Sequence, residues 1–227
     1  MHLPKVIAHR GASQVALENT LLAFKKAHEL GATWVEFDVM LTQDDVAIIH
    51  HDDTFKRILG LDQNVQQTPF SQIKNFADQI PTLIEALMCC ADLGLSLNIE
   101  LKTTKDFAEQ TALITLDILK QFEVYHPNNI LFSSSELEAL KTLHTHAPEF
   151  KLGLVADNWS DVDQALPELP LYALSLYYPM LTQELVTSIN NKGYKILAFT
   201  VNDPSLAATL FNKGVCSVFS DNPSLLN

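Results

Sequence analysis

Four short polar clusters stand at the ends of apolar runs, and they contain the residues best suited to chemistry. The clusters read His9-Arg10-Gly11, Glu36-Phe37-Asp38, His50-His51-Asp52 and Asn98-Ile99-Glu100-Leu101-Lys102. Burying such charges is costly unless they are paired or coordinate a metal. Imidazoles can move protons, carboxylates are ligands for a hard cation, and fixed cations attract an anion. Together these residue types indicate metal-assisted phosphoester chemistry.

The carboxylates of Glu36 and Asp38 are the clearest candidates for metal ligands. They are two residues apart, so on a β-strand they face the same side. Two carboxylates on one face repel each other unless a cation lies between them. Glu100 repeats the pattern on a later apolar run. Three carboxylates without a cysteine ligand suit Mg²⁺ or Ca²⁺ better than zinc, whereas the competing interpretation is a set of solvated charges at strand ends.

The histidines and cations in these clusters complete a candidate site. His9 closes the first apolar run, and either His50 or His51 can supply a second imidazole that titrates near neutrality. Spacing alone does not choose between these two neighbours. Arg10 and Lys102 are suited to binding phosphate, although a surface turn and an ordinary glutamate–lysine pair are the competing interpretations.

The elements that must position these clusters alternate regularly between strand and helix. Apolar runs predict eight strands, at Lys5–His9, Trp34–Leu41, Leu95–Lys102, Asn129–Ser133, Lys151–Val155, Ala173–Leu176, Lys195–Val201 and Cys216–Ser220. Helical periodicity predicts helices at Glu18–Leu30, Thr82–Asp92, Asp106–Phe122, Ser135–His146, Asp161–Ala165, Thr182–Asn191 and Pro204–Asn212.

This alternation favours an α/β fold, a (β/α)₈ TIM-type barrel, over a doubly wound open sheet. The polar clusters follow several different strands, and the carboxyl ends of barrel strands converge on one face. Two segments do not fit the alternation. Val46–His50 looks extended, and the polar segment Leu59–Gln79 is predicted to be a short insertion after the second strand region, placed as a lid over the site. We expect one domain over residues 1–227.

The composition limits the possible binding partners of the protein and its expected cellular compartment. A formal net charge of −12 argues against nucleic acid and against stable association with an anionic membrane. No apolar run approaches the ~20 residues that span a bilayer. The three cysteines imply no disulfide framework, and no secretory signal precedes the first strand, so we expect a cytoplasmic protein. The sequence leaves the oligomeric state open.

In their order along the chain, the motifs resemble the glycerophosphodiester phosphodiesterases, most closely the cytosolic bacterial type. The matching segments are Ala8-His9-Arg10-Gly11, Glu18-Asn19-Thr20, Glu36-Phe37-Asp38, His51-Asp52-Asp53-Thr54 followed by Arg57, Pro81-Thr82-Leu83, Asn98-Ile99-Glu100-Leu101-Lys102, Thr200-Val201-Asn202 and Ser220-Asp221-Asn222-Pro223. Each is weak alone, but the ordered set covers nearly the whole chain and is highly specific.

The resemblance implies a TIM-type barrel that hydrolyses glycerophosphodiesters, its small-molecule substrates, to sn-glycerol 3-phosphate and an alcohol. It also implies a role for each candidate: His9 and His51 are catalytic, Glu36, Asp38 and Glu100 bind a divalent cation (Mg²⁺ or Ca²⁺), and Arg10 and Lys102 bind phosphate. Glu18 and Asn19 match a loop that supports the first histidine.

Two other functions remain to be weighed against this one. A lysophospholipase D-like phosphodiesterase of the same superfamily would need an apolar entrance, and the polar segment Leu59–Gln79 is poorly suited to one. A barrel that binds phosphodiesters without catalysis is disfavoured because every expected acid, base and ligand is present. The preferred head group, the choice of cation and the acid or base role of each histidine are left open by the sequence. A cyclic phosphate intermediate and direct attack by water are equally compatible with it.

Overall fold

In the computed structural model, which describes residues 1–166 and 168–226, the strands form one sheet that closes into a barrel. They are β1 (Val6–Ala8), β2 (Trp34–Leu41), β3 (Ala47–Ile49), β4 (Ser96–Leu101), β5 (Ile130–Ser134), β6 (Lys151–Ala156), β7 (Ala173–Tyr177), β8 (Lys195–Phe199) and β9 (Ser217–Ser220). Eight are parallel and neighbour each other in the order β1-β9-β8-β7-β6-β5-β4-β2. Pairing of Ala8 with Val35 joins β1 to β2 and closes the ring. The predicted (β/α)₈ TIM-type barrel is confirmed.

Helices lie between the strands. They are α1 (Leu21–Glu29), α2 (Lys56–Leu59), α3 (Phe70–Phe76), α4 (Leu83–Asp92), α5 (Ala108–Leu119), α6 (Leu137–His146), α7 (Trp159–Ala165), α8 (Gln183–Asn191) and α9 (Pro204–Lys213). Every helix predicted from the sequence is present, with ends shifted by up to three residues. The start of α1 matters for the site. The Thr20 hydroxyl caps this helix by accepting from the Ala23 N–H, so Glu18 and Asn19 stay in the preceding loop.

Two apolar layers hold the barrel. Alternate residues of β2, including Val35, Phe37 and Val39, pack outward in the core shared with the helices. A separate cluster inside the barrel draws on six strands and consists of Leu3, Ile7, Trp34, Leu131, Ala173, Leu197 and Phe219. This alternation turns Glu36 and Asp38 toward the barrel interior, as the sequence predicted.

The strand β3 and the insertion after it form an accessory unit outside the ring. β3 pairs antiparallel with β2, which confirms the extended segment predicted there. An accessory cluster fills the space between β2, β3 and the insertion, and it consists of Met40, Ile48, Phe55, Val65, Ile73, Ala77 and Ile80. The predicted insertion is confirmed, but the prediction that it lies over the site as a lid is wrong. No residue from 59 to 79 lines the central cavity, because the apolar side chains of this segment pack beside the barrel instead.

The strands β1 and β8 end earlier than predicted, where the chain turns into the site. The backbone at Arg10 and at Gly11 has φ of 54° and 85°, a left-handed region that favours glycine. A Cβ on Gly11 would also lie 2.7 Å from the backbone of Ala23, so this turn needs glycine to pack against α1. No helix in the described part of the chain is long and apolar enough to cross a membrane.

Candidate active site

A cavity opens among the carboxyl ends of the strands, and six of the seven predicted site residues line it. Its walls are formed by His9, Arg10, Glu36, His51, Glu100, Lys102, Val155, Ser175, Phe199, Thr200 and Phe219. The seventh residue, Asp38, lies in contact with this group through the carboxylate cluster described next. The structure therefore brings all the predicted site residues together on the face expected of a barrel.

Three carboxylates meet at one edge of this cavity. Strand register places Asp38 on β2 beside Glu100 on β4, and Glu36 lies two residues before Asp38 on the same face. One carboxylate oxygen from each of the three lies within 4.8 Å of the others. Glu36 and Asp38 are 2% and 1% exposed. Burial and the charges of Asp38 and Glu100 raise the pKa of Glu36 well above its ordinary value, so the cluster is electrostatically strained as it stands.

The partners of these carboxylates orient them without neutralising all of them. The Arg10 N–H donates to Glu36 Oε2 at 2.8 Å, and the Asn19 side chain donates to Asp38 Oδ2 at 2.8 Å. Lys102 Nζ lies 2.8 Å from Glu100 Oε1. Burial alone would raise the pKa of Asp38, but the charge of Arg10 holds it below its ordinary value.

The donor set fits a hard divalent cation. Asp38 Oδ1 is buried and has no hydrogen-bond partner in the described part of the protein, so it is an acceptor that a bound cation would satisfy. Glu36, Asp38 and Glu100 offer oxygen ligands and no thiolate, which suits Mg²⁺ or Ca²⁺.

His9 is held by a carboxylate from the far end of the chain. Its Nδ1 lies 2.7 Å from Asp221 Oδ1, which leaves Nε2 as the ring nitrogen available to the cavity. Asp221 also accepts from the Ser13 hydroxyl at 2.8 Å and from the Asn202 amide at 2.6 Å. Although burial opposes it, hydrogen bonding to His9 and Asn202 lowers the pKa of Asp221 to about 2, so the carboxylate stays charged. A charged partner fixes both the tautomer and the orientation of an imidazole.

His51 has an equivalent partner on its own loop. Its Nδ1 lies 2.6 Å from Asp52 Oδ1, and Arg57 Nε lies 2.7 Å from Asp52 Oδ2. Arg57 also pairs with Glu18, whose carboxylate accepts from Arg10 at 2.8 Å. Burial opposes the change, but these arginines lower the pKa of Glu18 to about 2.

The structure places the two neighbouring histidines, which spacing alone does not distinguish, in different surroundings. The His50 ring is 4% exposed, lies 4.9 Å from the Phe55 ring and has its Nε2 3.2 Å from the Thr54 carbonyl oxygen. Burial lowers the pKa of His50. His50 is thus part of the packing of the accessory unit, whereas His51 faces the cavity.

Three residues of the site have roles that the sequence does not define. Asp221 lies in a matching motif, and its position directly after β9 is the signal that could have pointed to the site. Asp52 and Arg57 lie in another matching motif; orienting a ring is one of several roles open to Asp52, and no periodic pattern marks Arg57. The loop residues Glu18 and Asn19 contact arginines and Asp38 rather than His9, so their link to the first histidine is indirect.

Acid should weaken the fold through Asp221. Its folded-state pKa of about 2 lies below the ordinary value of 3.8, so its contribution to stability is present above about pH 4 and is lost as the pH falls toward 2. When the pH is lowered from 5 to 2.5, we expect the free energy of unfolding to fall by about 1–2 kcal/mol less in Asp221→Asn than in the unmodified protein. Urea unfolding at both pH values measures this. Asp117→Asn, at an exposed helical pair, is the control, and identical losses in all three proteins would contradict the prediction.

Comparison with known proteins agrees with this geometry. Residues 9–225 match the model of the glycerophosphoryl diester phosphodiesterase family. A glycerophosphodiester phosphodiesterase of Caldanaerobacter subterraneus is 29% identical, over 97% of this chain and 95% of its own.

Solved structures give the same result. A phosphodiesterase of Oleispira antarctica, determined with the product sn-glycerol-3-phosphate, is 36% identical with a TM-score of 0.90, over 98% of this chain and 94% of its own. A glycerophosphodiester phosphodiesterase of Thermotoga maritima is 31% identical with a TM-score of 0.80, over 99% and 97% of the two chains. With the family model spanning all the site motifs, the chain belongs to the glycerophosphoryl diester phosphodiesterase family and is a phosphoric diester hydrolase.

Proposed function

We propose that the protein hydrolyses glycerophosphodiesters to sn-glycerol 3-phosphate and an alcohol, with a divalent cation held by Glu36, Asp38 and Glu100. The observation that carries this proposal is the arrangement of two carboxylate-bonded histidines and two cations around one acidic cluster. The product bound to the similar Oleispira antarctica phosphodiesterase supports the choice of substrate class. When bound, the cation supplies Lewis-acid polarisation of a phosphate oxygen.

The remaining chemistry belongs to the side chains. Arg10 and Lys102 bind the phosphate and offset the charge that develops on it, because both line the cavity beside the carboxylates. His9 and His51 divide the roles of general base and general acid through the ring nitrogens left free by Asp221 and Asp52. A charged carboxylate behind each ring stabilises the imidazolium that forms when the ring takes a proton.

Two nucleophiles are compatible with this arrangement. The substrate's own 2-hydroxyl can attack phosphorus to give a cyclic phosphate that water then opens, or water can attack directly. Both routes use the same pair of histidines. A transient glycerol cyclic phosphate in a rapid-quench time course would identify the first route.

The decisive experiment is a product analysis with glycerophosphocholine. We expect sn-glycerol 3-phosphate and choline; release of phosphocholine and glycerol would contradict the proposal. Lysophosphatidylcholine is tested in parallel, because its preferential cleavage would favour the lysophospholipase D-like function. Saturable binding of glycerophosphocholine without turnover would instead indicate a non-catalytic barrel.

The head group should matter little to the rate. Arg10, Lys102 and the carboxylates address the glycerol phosphate half, while the cavity wall includes Phe199. The ring of Tyr177 lies beside Phe199, with the two centroids 6.2 Å apart. This wall offers shape rather than charge. We expect kcat/KM for the choline, ethanolamine and glycerol diesters to agree within about tenfold, or ~1.4 kcal/mol. Bis(p-nitrophenyl) phosphate, which lacks glycerol, should be much poorer, and its efficient cleavage would show that glycerol is not recognised.

A further inference from the structure

The guanidinium of Arg57 joins two carboxylates that belong to different loops. Its Nε and Nη2 lie 2.7 and 3.1 Å from the two oxygens of Asp52, in the loop after β3. Its Nη1 and Nη2 lie 2.7 Å from the two oxygens of Glu18, in the loop after β1. Paired hydrogen bonds of this kind fix the plane and direction of both partners, which a lysine ammonium cannot do.

Asp52 depends on this contact for its orientation. Within the described part of the chain, its carboxylate is hydrogen-bonded to the His51 ring and to Arg57 alone. The Asp52 side chain is 23% exposed, so without Arg57 it would be free to turn toward solvent. In the described part of the chain, His51 Nδ1 has no other hydrogen-bond partner that would hold the orientation of the ring.

Glu18 fixes the other end of the bridge. Its carboxylate also accepts from Arg10 Nη1 at 2.8 Å, so the loop after β1 is tied to the phosphate-binding side of the cavity. Arg57 itself does not line the cavity. It is therefore placed to act through its partners rather than on the substrate.

We propose that Arg57 is a positioning residue for His51, which it holds through Asp52 while Glu18 anchors it to the opposite loop. The proposal rests on the catalytic role given to His51 under the proposed function. It assigns to Arg57 an effect on turnover rather than on substrate or cation binding.

The first test is the substitution Arg57→Met, which keeps much of the side-chain length and removes the bridge. We expect kcat for glycerophosphocholine to fall about 10–100-fold, the range typical of losing a residue that orients a metal ligand in the same indirect way. KM and cation affinity should stay within about threefold. Arg57→Lys should recover only part of the loss, and added guanidinium should restore part of the activity of Arg57→Ala, since the side chain is 46% exposed. Lys56→Met, one residue away at an exposed pair with Asp62, is the matched control.

The second test is a double-mutant cycle with His51→Ala. If Arg57 acts through His51, Arg57→Met should change kcat less than about threefold in the His51→Ala background. An equal loss in both backgrounds, or a loss confined to KM, would overturn the proposal. Should Arg57→Met fail to fold, Arg57→Lys completes the same cycle, because it keeps the charge but loses the paired hydrogen bonds to Asp52 and Glu18. Full activity of His51→Ala would instead overturn the proposed function.

Discussion

We expect hydrolysis of glycerophosphocholine to stop when the protein is stripped with a chelator, and to return when Mg²⁺ or Ca²⁺ is added. This outcome is expected because three clustered carboxylates, two of them almost fully buried, repel each other until a cation lies between them. Activity with and without chelator measures this dependence, and full turnover by the stripped protein would contradict the prediction. Melting temperature is an independent measurement, because a cation that binds only the folded state should raise it.

Single neutralising substitutions sharpen this prediction. Glu36→Gln keeps the shape of the side chain and removes the carboxylate whose pKa is raised by burial and by its neighbours. We therefore expect the variant to melt at a higher temperature than the unmodified protein in chelator, and to gain little when cation is added. Asp44→Asn, at an exposed turn outside the cluster, should respond to cation like the unmodified protein.

Replacing either cavity-facing histidine should remove most of the turnover of the unmodified protein. Loss of one positioned proton-transfer group typically costs 10²–10⁴-fold in rate, so we expect losses of that size in kcat for His9→Ala and for His51→Ala. Steady-state kinetics at saturating cation measure both, with circular dichroism to establish that each variant is folded.

His50→Ala is the matched control for this prediction. Its ring packs in the accessory unit, so the change should lower the melting temperature and leave kcat within about threefold. A damaging His50→Ala with a mild His51→Ala would show that the second catalytic histidine has been misplaced.

The barrel and the acidic cluster were predictable because both follow from strand periodicity. A period of two places Glu36 and Asp38 on one face whatever the rest of the fold does, and parallel strands bring Glu100 to the same edge. The same argument nearly resolves the two histidines. If the alternation of β3 continued past Ile49, His50 would share a face with Ile48 and His51 would share the other with Ile49, but periodicity does not say which face meets the site.

The contacts that the sequence did not reveal are those with no periodicity. Asp221 reaches His9 across 212 residues, and Arg57 reaches Glu18 across 39. Such pairs depend on how loops meet above a closed ring, which is a property of the whole topology. The position of the insertion was predicted wrongly for a related reason. Although the segment is polar in composition, a few of its apolar side chains, among them Val65 and Ile73, pack with β3.

The accessory cluster has a consequence for how this enzyme loses activity. His9 follows a strand of the barrel, whereas His51 follows β3, which lies outside the ring, pairs with β2 and packs partly on the accessory cluster. Small peripheral units of this kind open at lower free energy than the main core. Under the proposed function, we expect opening here to leave the barrel and its acidic cluster intact but to displace His51, so that turnover is lost. We therefore expect sequence changes at Phe55 or Val65 to lower the fraction of molecules that can catalyse the reaction, although neither side chain lines the central cavity.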